Sequence, residues 1–310
     1  MKKLVSLLIF IPLVCQASWN FSDKKIPEEQ FEIATTNGEL LNAYLWLPDD
    51  YSPNNSYKSV VMVHGCGGVH YKDEADKWTS KYIAGKYKVW GKLLNQSNIM
   101  VLMVDSFSTR DNGDVGKGVC NLPSLDRPAK IDPITVRPAD IASGIEYLKS
   151  RNDVIDDKVG VLGFSNGATS VLALANHEKL EQRAEQLNLN GKDWFDLPYV
   201  ESFQANTFIA LYPGCGLNGY SIESQNTIVG NFETYTETFI FSASNDTSLP
   251  SDTNDKCNLL RQQDSLKTFE IPNMVVKVIE GTNHQFDYKE NEEEEVLQSI
   301  NRILSIFETM

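Results

Sequence analysis

Apolar positions in this chain follow two rhythms. Short, largely apolar runs lie at 59–63, 99–104, 158–162, 208–212, 238–244 and 274–279, the pattern of strands buried on both faces of a sheet. Two more runs, 31–35 and 41–47, flank Asn37-Gly38, a turn pair that predicts an opening antiparallel hairpin. Between the runs the spacing turns helical. Trp78, Tyr82, Ile83, Val89, Trp90, Leu93 and Leu94 predict helix within 74–94, with Gly85 splitting it into two pieces. Arg137-Pro138 opens a helix whose inner face is Ile141, Ile145 and Leu148, with the proline suited to its first turn. Further helices are predicted at 168–175, 257–266 and 296–307. Glu292 to Glu295 supply acidic charge where the last of these begins. The polar stretch 177–206 is an insertion, either a cap over a site or a solvated connector.

Strands alternate with helices, which predicts an α/β fold with a mostly parallel central sheet and helices on both faces. There is no internal repeat, low-complexity tract or interdomain linker, so one domain is expected over 18–310. The 310 residues are 41% hydrophobic and 23% charged, enough for a sizeable core. The net charge of -14 comes without any basic run, so nucleic-acid binding is not expected.

The N-terminus reads as a signal peptide over 1–17. Lys2 and Lys3 give a positive start, 4–14 is apolar but too short for a permanent span, and Cys15-Gln16-Ala17 offers small residues before a cut ahead of Ser18. The rival is a lipoprotein with Cys15 lipidated, but Val14 stands where such signals want a small residue. Export to a periplasmic or extracellular space is therefore expected, with no stable membrane span. Removal of the signal leaves Cys66, Cys120, Cys215 and Cys257 of the five cysteines. An even number in an exported chain points to disulfides. None has metal-ligand spacing, so no metal site is expected.

The candidate chemistry centres on Gly163-Phe164-Ser165-Asn166-Gly167. A strand run precedes it and a helical run follows, the context of a nucleophile elbow with Ser165 at its apex. A serine hydroxyl needs an adjacent base. The histidines are His64, His70, His177 and His284. Of these, His284 lies after the last strand, on a loop that opens at the same sheet edge as the elbow. The orienting acid should fall between serine and histidine in the chain. Asp246 follows its strand directly, whereas Asp252 and Asp255 read as turn and cap residues. Two backbone N–H groups are needed for an oxyanion hole. Asn166, after the serine, supplies one. Cys66 in His64-Gly65-Cys66-Gly67-Gly68 supplies the other, with Gly67 the fallback. Asp105 and Arg110 read as a carboxylate and a guanidinium at a strand end that tie a loop down.

This ordered set resembles the dienelactone hydrolase family of α/β-hydrolases. The resemblance rests on HGCGG at 64–68, VDSFSTR at 104–110, RPADI at 137–141, GFSNG at 163–167, YPGC at 212–215, Asp246 and Asn283-His284. It implies an α/β-hydrolase fold with Ser165, Asp246 and His284 as triad, acting on a small-molecule ester without cofactor. The namesake enzymes carry cysteine where this chain has Ser165, which points away from dienelactone and towards broader ester hydrolysis through an acyl-serine. A peptidase or thioesterase on the same triad, or a non-catalytic binding protein, are the alternatives. In that fold the third and fourth strands are neighbours, as are the sixth and seventh, which implies bridges Cys66–Cys120 and Cys215–Cys257.

Overall fold

The computed structural model describes residues 23–35, 38–70, 79–110, 129–133, 136–175, 204–214, 234, 236–246, 273–289 and 293–310. Eight strands form one sheet in the order β1-β2-β4-β3-β5-β6-β7-β8. They are β1 (Glu29–Ala34), β2 (Leu40–Trp46), β3 (Tyr57–Val63), β4 (Ile99–Asp105), β5 (Val154–Phe164), β6 (Thr207–Leu211), β7 (Thr238–Ala243) and β8 (Met274–Ile279). The hairpin β1–β2 is antiparallel, and β2 joins β4 antiparallel. Every pairing from β4 through β8 is parallel. Gly38 turns the hairpin at φ +86°, a conformation that a side chain would strain.

Among the described residues the longer helices beside the sheet are α1 (Gly85–Gln96), α2 (Arg137–Lys149), α3 (Asn166–Ala175) and α4 (Glu294–Thr309), with one short helical turn at Phe286–Lys289. The unbroken apolar runs have a direct consequence, because successive side chains point to opposite faces. Val60 and Met62 of β3 join a core with Trp90 and Leu93 of α1 and Ile300 and Ile303 of α4. Val61 and Val63 join the opposite core with Ile141 and Ile145 of α2 and Val171 of α3. Helices thus flank both faces, as in the α/β-hydrolase fold.

Two boundaries differ from the sequence pattern. Gly85 does not interrupt a helix: it is the first residue of α1, preceded by a short 3-10 turn at Ser80–Tyr82. Strand β5 starts four residues early, at Val154, where the exposed Asp156 and Asp157 interrupt the apolar signal. The predicted helix at 257–266, the signal segment 1–17 and nearly all of the insertion 177–206 lie outside the described residues. Among the described residues no helix is long and apolar enough to cross a membrane.

Candidate active site

The elbow begins with tight packing at the end of β5. A Cβ on Gly163 would lie 2.6 Å from Val171 Cγ2, and one on Gly167 would run into the carbonyl oxygens of Val63 and His64. Only glycine lets α3 start this close to β3 and β5. Ser165, between them, is held at φ +53°, an uncommon conformation for a residue with a side chain. Its N–H donates to Leu211 O (3.0 Å), and its carbonyl accepts from Thr169 N–H (3.1 Å). The strained turn is therefore clamped from β6 and from α3.

Two other loops at the same sheet edge reach this serine. His284 follows β8 and Asp246 follows β7. The loops are stitched together by Asn245 N–H donating to Thr282 O (2.9 Å) and Gly281 N–H donating to Ser244 Oγ (2.9 Å). The Ser165 hydroxyl donates to His284 Nε2 over 2.8 Å. His284 Nδ1–H donates to Asp246 Oδ2 over 2.6 Å. A carboxylate only accepts, so the imidazole proton sits on Nδ1 and leaves Nε2 free to take one. All three side chains are more than nine-tenths shielded from solvent.

The glycine-rich turn after β3 lies against Ser165: a Cβ on Gly65 would be 3.5 Å from Ser165 Cβ. The turn is closed by Gly68 N–H donating to Gly65 O (3.2 Å), and Gly65 N–H donates to Tyr87 Oη (3.0 Å). Cys66 sits in this turn, beside Phe107 and Ile131, and its sulfur is disulfide-bonded. Cys120, Cys215 and Cys257 lie outside the described residues, as do His177, Asp252 and Asp255. Asn166 is the first residue of α3, directly after the serine.

The remaining described histidines have other work. His64 is fully buried; its Nδ1–H donates to Gly65 O (2.8 Å) and its Nε2 accepts Ser106 N–H (3.1 Å). Burial, helped by the charge of Arg137, pushes its pKa down to about 3, so it stays neutral as a strut of the turn. His70 Nε2 contacts Tyr44 Oη (2.9 Å), with Asp105 Oδ2 3.4 Å from its Nδ1. Asp105 Oδ1 accepts from Phe107 and Ser108 N–H (3.0 and 3.1 Å). Arg110 makes a two-pronged bond to Asp140 (2.9 Å each) and reaches Glu39. Both residues therefore tie loops, in line with the sequence reading. Among the described residues no group of His, Cys, Asp and Glu could hold a metal ion.

Two residues around the site have roles that the sequence pattern does not reveal. Arg137 is wholly buried, with Nη1–H donating to Asn166 Oδ1 (2.5 Å) and Nη2–H to His64 O (2.6 Å). Its place in RPADI marks it, but an arginine in a first helical turn reads as a solvated charge. Tyr212, at φ +40° after β6, sets its ring edge against His284 with centroids 4.7 Å apart. Its hydroxyl lies 3.2 Å from Lys86 Nζ. Burial first, then the Asp287 carboxylate, push the Tyr212 phenol far above its ordinary value. Asp287 Oδ2 accepts Trp90 Nε1–H at 2.7 Å, which anchors the turn after His284 to α1.

Comparison with known proteins agrees on the fold. The sequence matches no protein-family model, and none of the curated proteins is similar enough to count as a match. Among solved structures the chain is similar to esterase 2 of Thermogutta terrifontis, at TM-score 0.54 and 15% identity over 92% of this chain and 97% of that one. It is similar to a protein of Klebsiella pneumoniae described as a candidate dienelactone hydrolase, at TM-score 0.53 and 15% identity over 90% and 98%. It also resembles a hyperthermophilic esterase of Pyrobaculum calidifontis, at TM-score 0.53 and 16% identity over 94% and 88%. At such identities the likeness establishes the α/β-hydrolase fold.

Proposed function

We propose that this chain is an exported serine hydrolase that cleaves carboxylic esters of small molecules through an acyl-serine intermediate. The observation that carries the reading is the hydrogen-bonded chain Ser165–His284–Asp246 on three loops at one sheet edge. Ser165 Oγ attacks the ester carbonyl carbon while its proton passes to His284 Nε2. Asp246 holds the imidazole in the productive tautomer and stabilises the imidazolium. The resulting oxyanion is bound by the N–H groups of Cys66 and Asn166. As the tetrahedral centre collapses, the C–O bond breaks and His284 returns the proton to the departing alkoxide. Water then attacks the acyl-serine, its proton again passing to His284, and the acid is released with Ser165 restored. No step calls for a metal or organic cofactor.

The esterase among the structural neighbours supports the choice of bond. Esterase 2 of Thermogutta terrifontis has been seen phosphorylated by paraoxon and with butyrate bound. We further propose the signal peptide over 1–17, one domain over 18–310, and bridges Cys66–Cys120 and Cys215–Cys257.

Rapid mixing with p-nitrophenyl acetate tests the mechanism. A burst of p-nitrophenol close to one per enzyme is expected, followed by slower turnover, and Ser165→Ala should remove both. Unchanged turnover in that variant would falsify the assignment. Thioester and peptide substrates in parallel show whether esters are preferred. Failure of a fluorophosphonate probe to label Ser165 would point instead to a non-catalytic protein.

A further inference from the structure

Arg137 joins the two segments that must converge for an oxyanion hole. One prong of its guanidinium holds Asn166 Oδ1, on the residue after the nucleophile (2.5 Å); the other holds His64 O, at the entrance to the Gly65–Cys66 turn (2.6 Å). Both are charge-assisted bonds from a planar fork, which fixes an angle as well as a distance. The fork is itself held: the guanidinium lies 5.1 Å from the centroid of the Phe107 ring, and the side chain is wholly buried. The residue that takes this second prong is pinned independently through its side chain, His64 Nε2 accepting Ser106 N–H. The strand pairing of Val63 with Gly163 and the close backbone packing at Gly65 and Gly167 also bring the two walls together, but of these contacts only the Arg137 fork hydrogen-bonds to both. A buried cation is costly to keep unless it is hydrogen-bonded, and the two acceptors that hold this one lie on those two segments.

We infer that Arg137 is a positioning residue that sets the separation of the Cys66 and Asn166 N–H donors, and so the stabilisation of the tetrahedral oxyanion. It touches no reacting atom. The inference rests on the ester-hydrolase reading, and deepens it by naming what preorganises the hole. Displaced donors weaken transition-state binding and leave ground-state binding largely alone.

The test uses the full chain with Arg137→Gln, Arg137→Lys and Asn166→Ala. The readouts are kcat and KM on a p-nitrophenyl ester, and inhibition by a trifluoromethyl ketone that adds to Ser165 as a tetrahedral oxyanion. Misplacing such donors is expected to lower kcat in Arg137→Gln by about 30-fold, with KM within about two-fold. Affinity for the ketone should fall by a similar factor. Arg137→Lys should recover little, because one ammonium cannot span both acceptors. Asn166→Ala severs one prong, and should cost much less in the Arg137→Gln background than in the wild type. If Arg137→Gln does not fold, Arg137→Lys and Asn166→Ala carry the test. Ketone affinity that stays at the wild-type level, or losses confined to KM, overturn the inference while leaving the ester-hydrolase reading intact. A wild-type chain that turns over no ester in the same assay sinks that reading, and this inference with it.

Discussion

At the scale of single residues, the site depends on groups kept in states that water would not favour. His64 is the clearest case. Its folded pKa of about 3 lies well below the ordinary 6.5, so between those values the unfolded chain binds a proton that the folded one refuses. Stability must therefore fall as pH drops from about 6.5 towards 3. Asp105 acts in the same direction. Burial alone would raise its carboxyl, but the hydrogen bond from His70 leads the contacts that hold it below its ordinary value. Its contribution is present above the ordinary carboxylate pKa and lost as pH falls through its lowered folded value. Thermal melts across this range should show the midpoint of His64→Asn falling less steeply with acid than that of the wild type. Parallel slopes would mean that His64 does not refuse the proton. Ser165 and Tyr212 store a different kind of cost, in positive φ angles held by neighbours on β6 and β7.

At the scale of elements, the loop that carries His284 is steadied from a helix behind it. Trp90 of α1 donates into Asp287, whose carboxylate is wholly buried, just after His284. Trp90→Phe keeps most of the packing but removes that donor. A loss of about 2 kcal/mol is expected for a hydrogen bond to a buried charged group. Urea denaturation measures it, and an unshifted midpoint would show that the bond contributes nothing. A lower kcat should accompany the loss, since the same turn carries His284. The contact also shows what a sequence reader can and cannot see. Trp90 and Asp287 are 197 residues apart, and nothing in local spacing links an indole on a helix to an aspartate on a late turn. The strands were legible because apolar runs such as 59–63 report burial on two faces directly. The elbow was legible because Gly163, Ser165 and Gly167 encode one tight local geometry. The early part of β5 and the role of Arg137 were hidden for a common reason: polar residues show no hydrophobic period, and their partners come from other elements.

At the scale of the whole molecule, the parallel order of β5 through β8 places the ends of their loops at one edge, where serine, acid and base can meet. Arg110 ties the hairpin turn through Glu39 to α2 through Asp140, so the antiparallel end of the sheet is bound to the helix that carries Arg137. Mass mapping of the purified chain without reductant probes two proposals at once. It should find Ser18 as the first residue and Cys66 joined to Cys120. An intact N-terminus argues against export, and Cys66 joined to Cys215 discards the pairing.

The distance along the chain between nucleophile and base has a further consequence. Ser165 and His284 are 119 residues apart, whereas His284 and Asp246 are only 38 apart. Contacts of such long range carry a loop-closure cost that slows folding. A chain emerging from the ribosome displays its serine long before its histidine exists. Until β8 has docked beside β7, that serine is an ordinary alcohol. Nascent and half-folded forms therefore lack the Ser165–His284 contact, and under the proposed mechanism hydrolysis has to wait until the sheet is finished. Reactivity of Ser165 towards a phosphonate is in this sense a clock for the last step of folding.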